Sequence, residues 1–330
     1  MIETIYIEDN IRLHPKTLQI CSRFSQARKI ICHRYTEIFN TKAQNFRLQK
    51  RQPALILAEK HNKFIHRAPA GYGIGGDRNY YFSHMLNCLY DCRYCFLQGM
   101  LQSANYILFV NYADFALEIE TISRENPRQQ LHFFSGYDCD SLALEPVTGF
   151  AAYFLPVFAS LGNAWLELRT KSTQIRSLMD VSVIPRCIVA FSFTPEATAT
   201  ALEHKAPGVQ RRIEAMSRLQ QQGWPLGLRF DPMIYQVGYR QQYRQLFEAI
   251  FSKIDVRSLH SVSLGVFRLP ENYFRKIHRL YPREKLFAGP LQNTSGVVSY
   301  PDNLEQEMMH SCKDMLLQYI PESMLFPCQL

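Results

Sequence analysis

Short apolar runs recur along the chain from residue 80 onward, and longer amphipathic stretches separate them. The strand-like runs lie at 80–86, 106–110 ("YILFV"), 131–135 ("LHFFS"), 164–170 ("AWLELRT"), 187–193 ("CIVAFSF"), 226–231 ("LGLRFD") and 261–267 ("SVSLGVF"). Helical spacing fills 112–125, 147–161, 173–180, 208–222 and 240–253, with two further helices near 270–281 and 303–318. In "LQQQGWP" a helix stops, because Gly223 supplies a left-handed residue and Pro225 blocks continuation. Strands alternating with helices of roughly 10–15 residues predict parallel βαβ units. Six or seven such units suit a TIM-like barrel or partial barrel, with chemistry at the C-terminal ends of its strands.

The first 75 residues read as a smaller α/β region. "ETIYIE", "RKIICHRY" and "PALILAEK" have strand character, and "HPKTLQICSRFSQ" spaces Leu18, Cys21 and Phe24 at helical intervals behind Pro15. The Gly/Pro stretch "APAGYGIGGDRN" then marks a boundary, giving a basic N-terminal region at 1–75 and a barrel with a C-terminal helical extension at 76–330. Gly71, Gly73 and Gly76 satisfy G-x-G-x-x-G, but they follow a proline-containing loop and lead into strand-like "NYYFSHML". A dinucleotide site needs a strand before the glycines and a helix after them. They read as a linker.

Composition is that of an ordinary globular protein, with 47% hydrophobic and 20% charged residues in 330. No apolar run approaches the ~20 residues of a membrane span, and "MIETIYIEDN" carries acids where a secretion signal carries lysines. The expectation is a cytoplasmic protein without a membrane partner, whose nine cysteines stay reduced. The net charge of +8 is concentrated: residues 1–75 hold 13 Lys/Arg against 5 Asp/Glu, and the remainder balances at 24 against 24. "KAQNFRLQKRQ", with Lys42, Arg47, Lys50 and Arg51, belongs to that excess. Concentrated basic charge attracts polyanions through counterion release, so nucleic acid contact and a merely solvated basic surface both remain open.

"NCLYDCRYCFLQG" places Cys88, Cys92 and Cys95 within eight residues, in C-x3-C-x2-C spacing, on the loop after the first barrel strand. A zinc site wants four ligands, and the other candidate, His84, lies inside the strand. A Cys92–Cys95 redox pair leaves Cys88 unexplained, and three unrelated packing cysteines require chance clustering. A 4Fe-4S cluster ordinarily takes four thiolates. Three leave one iron free to chelate S-adenosylmethionine (AdoMet), whose reductive cleavage releases a 5′-deoxyadenosyl radical able to abstract hydrogen from unactivated C–H bonds.

C-x3-C-x2-C after the first strand is the signature of the radical AdoMet superfamily. The chain resembles the spore photoproduct lyase family over nearly its whole length, from "IYIE" through "NCLYDCRYCFLQG", "RTKST" and "CIVAFSF" to the C-terminal helix. The resemblance implies a partial (β/α)6 TIM-like barrel with a small N-terminal α/β region and a C-terminal helical segment. It also implies light-independent reversal of a thymine–thymine photoproduct in DNA: the radical takes hydrogen from C6 of the lesion, the joining bond fragments, and hydrogen is returned. Cys88, Cys92 and Cys95 match the cluster ligands, which makes them both metal and cofactor residues; Lys171 in "RTKST" and Ser192 in "AFSF" match positions that contact AdoMet. Asp231 faces the same mouth, as a substrate contact or a turn cap.

Two matches fail. The family returns hydrogen from a cysteine, assisted by a tyrosine after the cluster; the corresponding residues here are Tyr137 and Phe96, although Tyr94 of the motif is present. Phenylalanine has no O–H bond to give. Cys139, two residues past Tyr137, projects to the same side if the segment is extended, as a displaced donor, an AdoMet neighbour or a small packing residue. Catalytic candidates are therefore Cys139, Tyr137 and Tyr94. The family also carries a basic hairpin near its C-terminus that opens the duplex, whereas here no Lys or Arg occurs from Leu286 to Cys312, so a grip on DNA must lean on the basic N-terminal region instead, or the lesion is flipped less. The expected partners are lesion-containing DNA, or RNA, and a reductant such as flavodoxin or ferredoxin. The alternatives are a radical reaction on a different modified nucleotide or RNA base, and a non-catalytic iron–sulfur protein that binds nucleic acid.

Overall fold

The computed structural model describes residues 2–39, 41 and 44–328. Six parallel strands form the main sheet in chain order: β1 (Arg78–Phe82), β2 (Leu131–Ser135), β3 (Ala164–Thr170), β4 (Cys187–Ser192), β5 (Leu226–Met233) and β6 (Leu259–Val266). Ile65–Arg67 pairs antiparallel outside β1, and Leu325–Pro327 pairs parallel outside β6. The sheet curls into a partial barrel. Every residue of β2 and β4 is buried, which is why these strands read as unbroken apolar runs rather than alternating ones. The helix Val209–Gln222 ends as expected, with Gly223 at φ +92° and the Trp224 N–H donating to Leu219 O at 3.1 Å.

Beside the barrel lies a five-stranded sheet in the order Arg28–Cys32, Thr4–Glu8, Leu55–Ala58, Tyr106–Phe109, Met85–Leu86. Two expectations change here. The run at 106–110 joins this smaller sheet, parallel to Leu55–Ala58, rather than the barrel. The run at 80–86 divides: β1 stops at Phe82, and Met85–Leu86 crosses to pair antiparallel with Tyr106–Phe109. The polar pair between them explains the break, since Ser83 Oγ donates to Asp138 at 2.5 Å and His84 stacks on Phe150 at 3.8 Å. The glycine-rich stretch is also more than a linker, because it is the loop joining the antiparallel pair Ile65–Arg67 and β1. Gly76 has φ +71° there, and a Cβ would stand 2.5 Å from His132 Nδ1. The C-terminal segment adds a strand, Leu325–Pro327, after its helix Asp302–Leu316.

His84 and His132 are 1% exposed, and burial pushes them down to about 3 and about 4 respectively. Their neutral forms are therefore the folded forms. The sign follows: with folded values below the unfolded value near ~6.5, stability is full above that value and falls as pH drops toward the folded ones. His132 alone accounts for about 3 kcal/mol. Denaturant unfolding at neutral pH and near about pH 4 should show this loss, and His132→Gln should reduce it; a flat profile refutes the assignment.

Candidate active site

The cysteine loop is braced from both sheets. Asn87 takes φ +76°, and its side-chain amide donates to Ser103 O at 2.7 Å and Asn105 O at 3.1 Å. Lys50 is 5% exposed and reaches under the loop, donating to Cys88 O at 2.8 Å and Tyr90 O at 3.1 Å. It is thus a support of the loop rather than part of a basic surface. Asp91–Cys92 pairs antiparallel with Glu203–His204, and the Cys95 N–H closes onto Cys92 O at 3.1 Å.

Cys88, Cys92 and Cys95 border one cavity of about 490 Å³ at the C-terminal ends of the barrel strands. Its other walls include Tyr137 beyond β2, Lys171 after β3, Ser192 on β4, Asp231 on β5 and Arg268 beyond β6. Burial pushes the three thiols up, Cys88 to about 12, while Lys50 lowers Cys88 and Cys95 and Lys171 lowers Cys92 and Cys95. Three free thiols on one loop, attended by two ammonium groups, suit a group that demands three thiolates. His84, the other zinc candidate, instead packs in the core against Phe150 and Tyr112.

Glu203 ties Tyr94, Thr194, Lys171 and Arg212 together. Its carboxylate accepts from Tyr94 Oη and Arg212 Nη2, and from Thr194 Oγ1 at 3.2 Å, with Lys171 Nζ 3.9 Å away. Burial raises the Glu203 carboxyl, but Lys171 and Arg212 more than offset it and hold it below its ordinary value. Burial likewise lowers Lys171, and Glu203 reverses this, so the lysine stays charged. Tyr94 therefore has its hydroxyl engaged by Glu203, beneath Lys171 Nζ at 5.5 Å from its ring centroid. Ser192 is buried at the cavity wall, and its carbonyl accepts from Arg212 Nη1 at 3.0 Å.

The segment after β2 is bent, not extended. Gly136 has φ +83°, and a Cβ there would lie 2.6 Å from Ser141 Oγ and 2.9 Å from Arg169 O. Tyr137 and Cys139 nevertheless both line the cavity. Tyr137 stacks on Tyr81 at 4.4 Å and leans on Phe96 at 5.6 Å, while Cys139 is buried with its thiol pushed well up by burial. Asp140 locks this bend to β3: Oδ1 accepts from Thr170 Oγ1 at 2.7 Å and from the N–H groups of Leu142 and Ala143, and Oδ2 accepts from Lys171 N at 2.6 Å.

Beneath the cavity, buried Glu167 takes a bidentate pair from Arg229 (3.1 and 2.7 Å) and a further bond from Arg169 at 3.1 Å. Toward the opening, Arg268 Nε donates to Tyr72 Oη at 3.1 Å and Nη1 to Val266 O at 2.9 Å, with Asp231 Oδ1 3.5 Å from Nη1. Glu203, Asp140, Arg268 and Lys50 were invisible as site residues in the sequence. Only Asp140 left a signal, an acid directly after Cys139 near a strand end.

A parallel partial barrel with three loop cysteines and a charged lysine at its C-terminal mouth defines a protein of the radical AdoMet class. The model of the family described as spore photoproduct lyase matches residues 3–325, and the chain belongs to that family. Among curated relatives, spore photoproduct lyase of Bacillus subtilis (strain 168) is 23% identical over 294 residues, spanning 86% of this chain and 83% of the relative. That of Geobacillus sp. (strain Y412MC61) is 22% identical over 251 residues, 72% of each chain. Among solved structures, a spore photoproduct lyase variant with bound AdoMet and dinucleoside spore photoproduct superposes with a TM-score of 0.87 at 16% identity, covering 100% of this chain and 99% of that one. Spore photoproduct lyase complexed with the dinucleoside spore photoproduct gives 0.84 at 16% identity, covering 100% and 98%.

Proposed function

We propose that this chain is a radical AdoMet lyase that reverses a thymine photoproduct in DNA. The observation that carries the reading is the cavity itself: three loop cysteines, Lys171 and Ser192 border the same space as Tyr137 and Cys139. Cys88, Cys92 and Cys95 would hold a 4Fe-4S cluster, which with AdoMet at its open iron supplies a 5′-deoxyadenosyl radical for hydrogen abstraction. Lys171, kept charged by Glu203, holds the carboxylate of an amino-acid moiety, and Ser192 contributes a neighbouring hydroxyl. The apolar ring faces of Tyr137 and Phe96 support a pyrimidine and exclude water from the reacting carbons. Cys139 returns hydrogen to the product through its S–H bond, in place of the family's cysteine at the position of Tyr137. Tyr94 acts through Glu203 as a positioning residue for Lys171.

The test is repair of a dinucleoside lesion by anaerobically reconstituted protein, run in D2O. Thiol hydrogens exchange with solvent, so a restored thymine carrying deuterium marks return from S–H or O–H. Cys139→Ala should cut restored thymine by roughly 10-fold or more, while Tyr137→Phe should leave the deuterium in place. Unchanged yield and labelling in Cys139→Ala assign the donor elsewhere. No thymine from the unaltered protein, with 5′-deoxyadenosine still formed, moves the substrate to another modified pyrimidine.

A further inference from the structure

We propose that the helix Glu271–Leu280 and the turn after it form the surface that grips the phosphodiester backbone of DNA; the proposal rests on the nucleic-acid reading above. The hairpin Gln292–Thr294/Val297–Ser299 carries no Lys or Arg, and its second strand pairs antiparallel with Arg268–Pro270. That third strand runs straight into the helix. Arg275, Lys276, Arg279, Arg283 and Lys285 all lie exposed within this short segment. Its two acids are engaged, Glu271 with Arg275 at 3.6 Å and Glu284 with Arg93 at 3.7 Å.

Position turns this charge into an interface. Pro270 and Tyr273 line the cavity, so the cationic face is the outside of the cavity wall. The phosphates flanking a nucleotide seated inside must pass over it. An acidic electron-donor protein has no such reason to lie across the mouth, which favours nucleic acid. The helix is also firmly seated: Ile277 is fully buried, and Gly99 of the helix Leu97–Met100 packs so closely that a Cβ would lie 2.6 Å from Tyr273 O. Tyr281 joins this surface to the basic N-terminal region, because the guanidinium of Arg93 lies 3.9 Å from its ring centroid and that of Arg47 lies 5.8 Å from it. Arg47 and Arg51 are exposed and extend the stripe, whereas Lys50 is buried; Lys42 lies outside the described residues.

Counterion release gives the test its scale, with log K against log salt falling by about 0.9 per phosphate contact on duplex DNA. The variant Lys276→Ala/Arg279→Ala/Arg283→Ala/Lys285→Ala removes four exposed side chains, none of which lines the cavity. Its affinity for an undamaged duplex should drop, and its salt slope should flatten by about 3–4. Turnover of a dinucleoside lesion, which has no flanking phosphates to grip, should stay at the unaltered level. Undamaged duplex needs neither cluster nor AdoMet, so this binding result stands or falls apart from the repair assay. An unchanged affinity and slope overturn the proposal. So does unchanged DNA binding accompanied by slower reduction by flavodoxin but not by dithionite, which would give the surface to the electron donor.

Discussion

Cys95→Ala should abolish 5′-deoxyadenosine formation and bring bound iron from about four per chain toward none. The side chain is half-buried, and its neighbours are held independently of the thiol: the Cys95 N–H donates to Cys92 O, and Gln98 donates to the same carbonyl. Alanine keeps those backbone contacts, so the loop retains its path while one corner of the cluster loses its ligand. Two thiolates do not hold a cubane that three hold at the minimum. The loss in activity should exceed the roughly 10–100-fold that removal of an outer partner of a metal ligand costs. Iron analysis, the brown absorbance and circular dichroism separate loss of the cluster from loss of fold. A Cys95→Ala protein that keeps its iron and still cleaves AdoMet would remove the basis of the functional reading.

Glu203→Ala should be the most damaging single change to stability. Its carboxylate is fully buried between Arg212 and Lys171, and Tyr94 and Thr194 both donate to it. Removing one member of a buried ion pair leaves the other charges uncompensated and costs about 3–5 kcal/mol, a Tm decrease of about 4–7 °C for a chain of this size. The same change frees Lys171 and Tyr94, so AdoMet affinity should fall together with Tm. Glu203→Gln, which keeps hydrogen bonding but not charge, should recover part of the stability and little of the AdoMet affinity. Calorimetry and AdoMet titration check this; a Tm within a degree or so of the unaltered protein would mean that the pairing carries no net stabilisation.

Segments with a clear buried pattern declared themselves in the sequence. The strands Leu131–Ser135 and Ala164–Thr170 and the helix Tyr112–Glu125 fall where apolar periodicity places them, the strands because most of their residues are buried and the helix because Tyr112, Phe115, Ala116 and Ile119 form one buried stripe. Sheet membership did not declare itself. "YILFV" reads the same for either sheet, since it is completely buried, and only its pairing with Leu55–Ala58 and Met85–Leu86 shows which one it joins. That the three cysteines, Lys171 and Ser192 meet at one cavity was legible because they are local or adjoin a strand end. Glu203, Asp140 and Lys50 were not, because a charged residue in a loop or short helix is normally solvated, and here long-range contacts bury it. The cationic helix was hidden differently: summing charge over residues 76–330 gives zero, and that balance conceals one strongly basic segment.

Lys50 has an implication for shortening the polypeptide. The ammonium that supports the Cys88 and Tyr90 carbonyls comes from a helix, Phe46–Arg51, that precedes the barrel altogether. A trimmed version beginning after that helix would retain Cys88, Cys92 and Cys95 in its primary structure, yet it would leave two carbonyls facing a hole where a cation had stood. Competence to assemble the proposed metal centre would therefore depend partly on a leading segment that contributes no ligand to it.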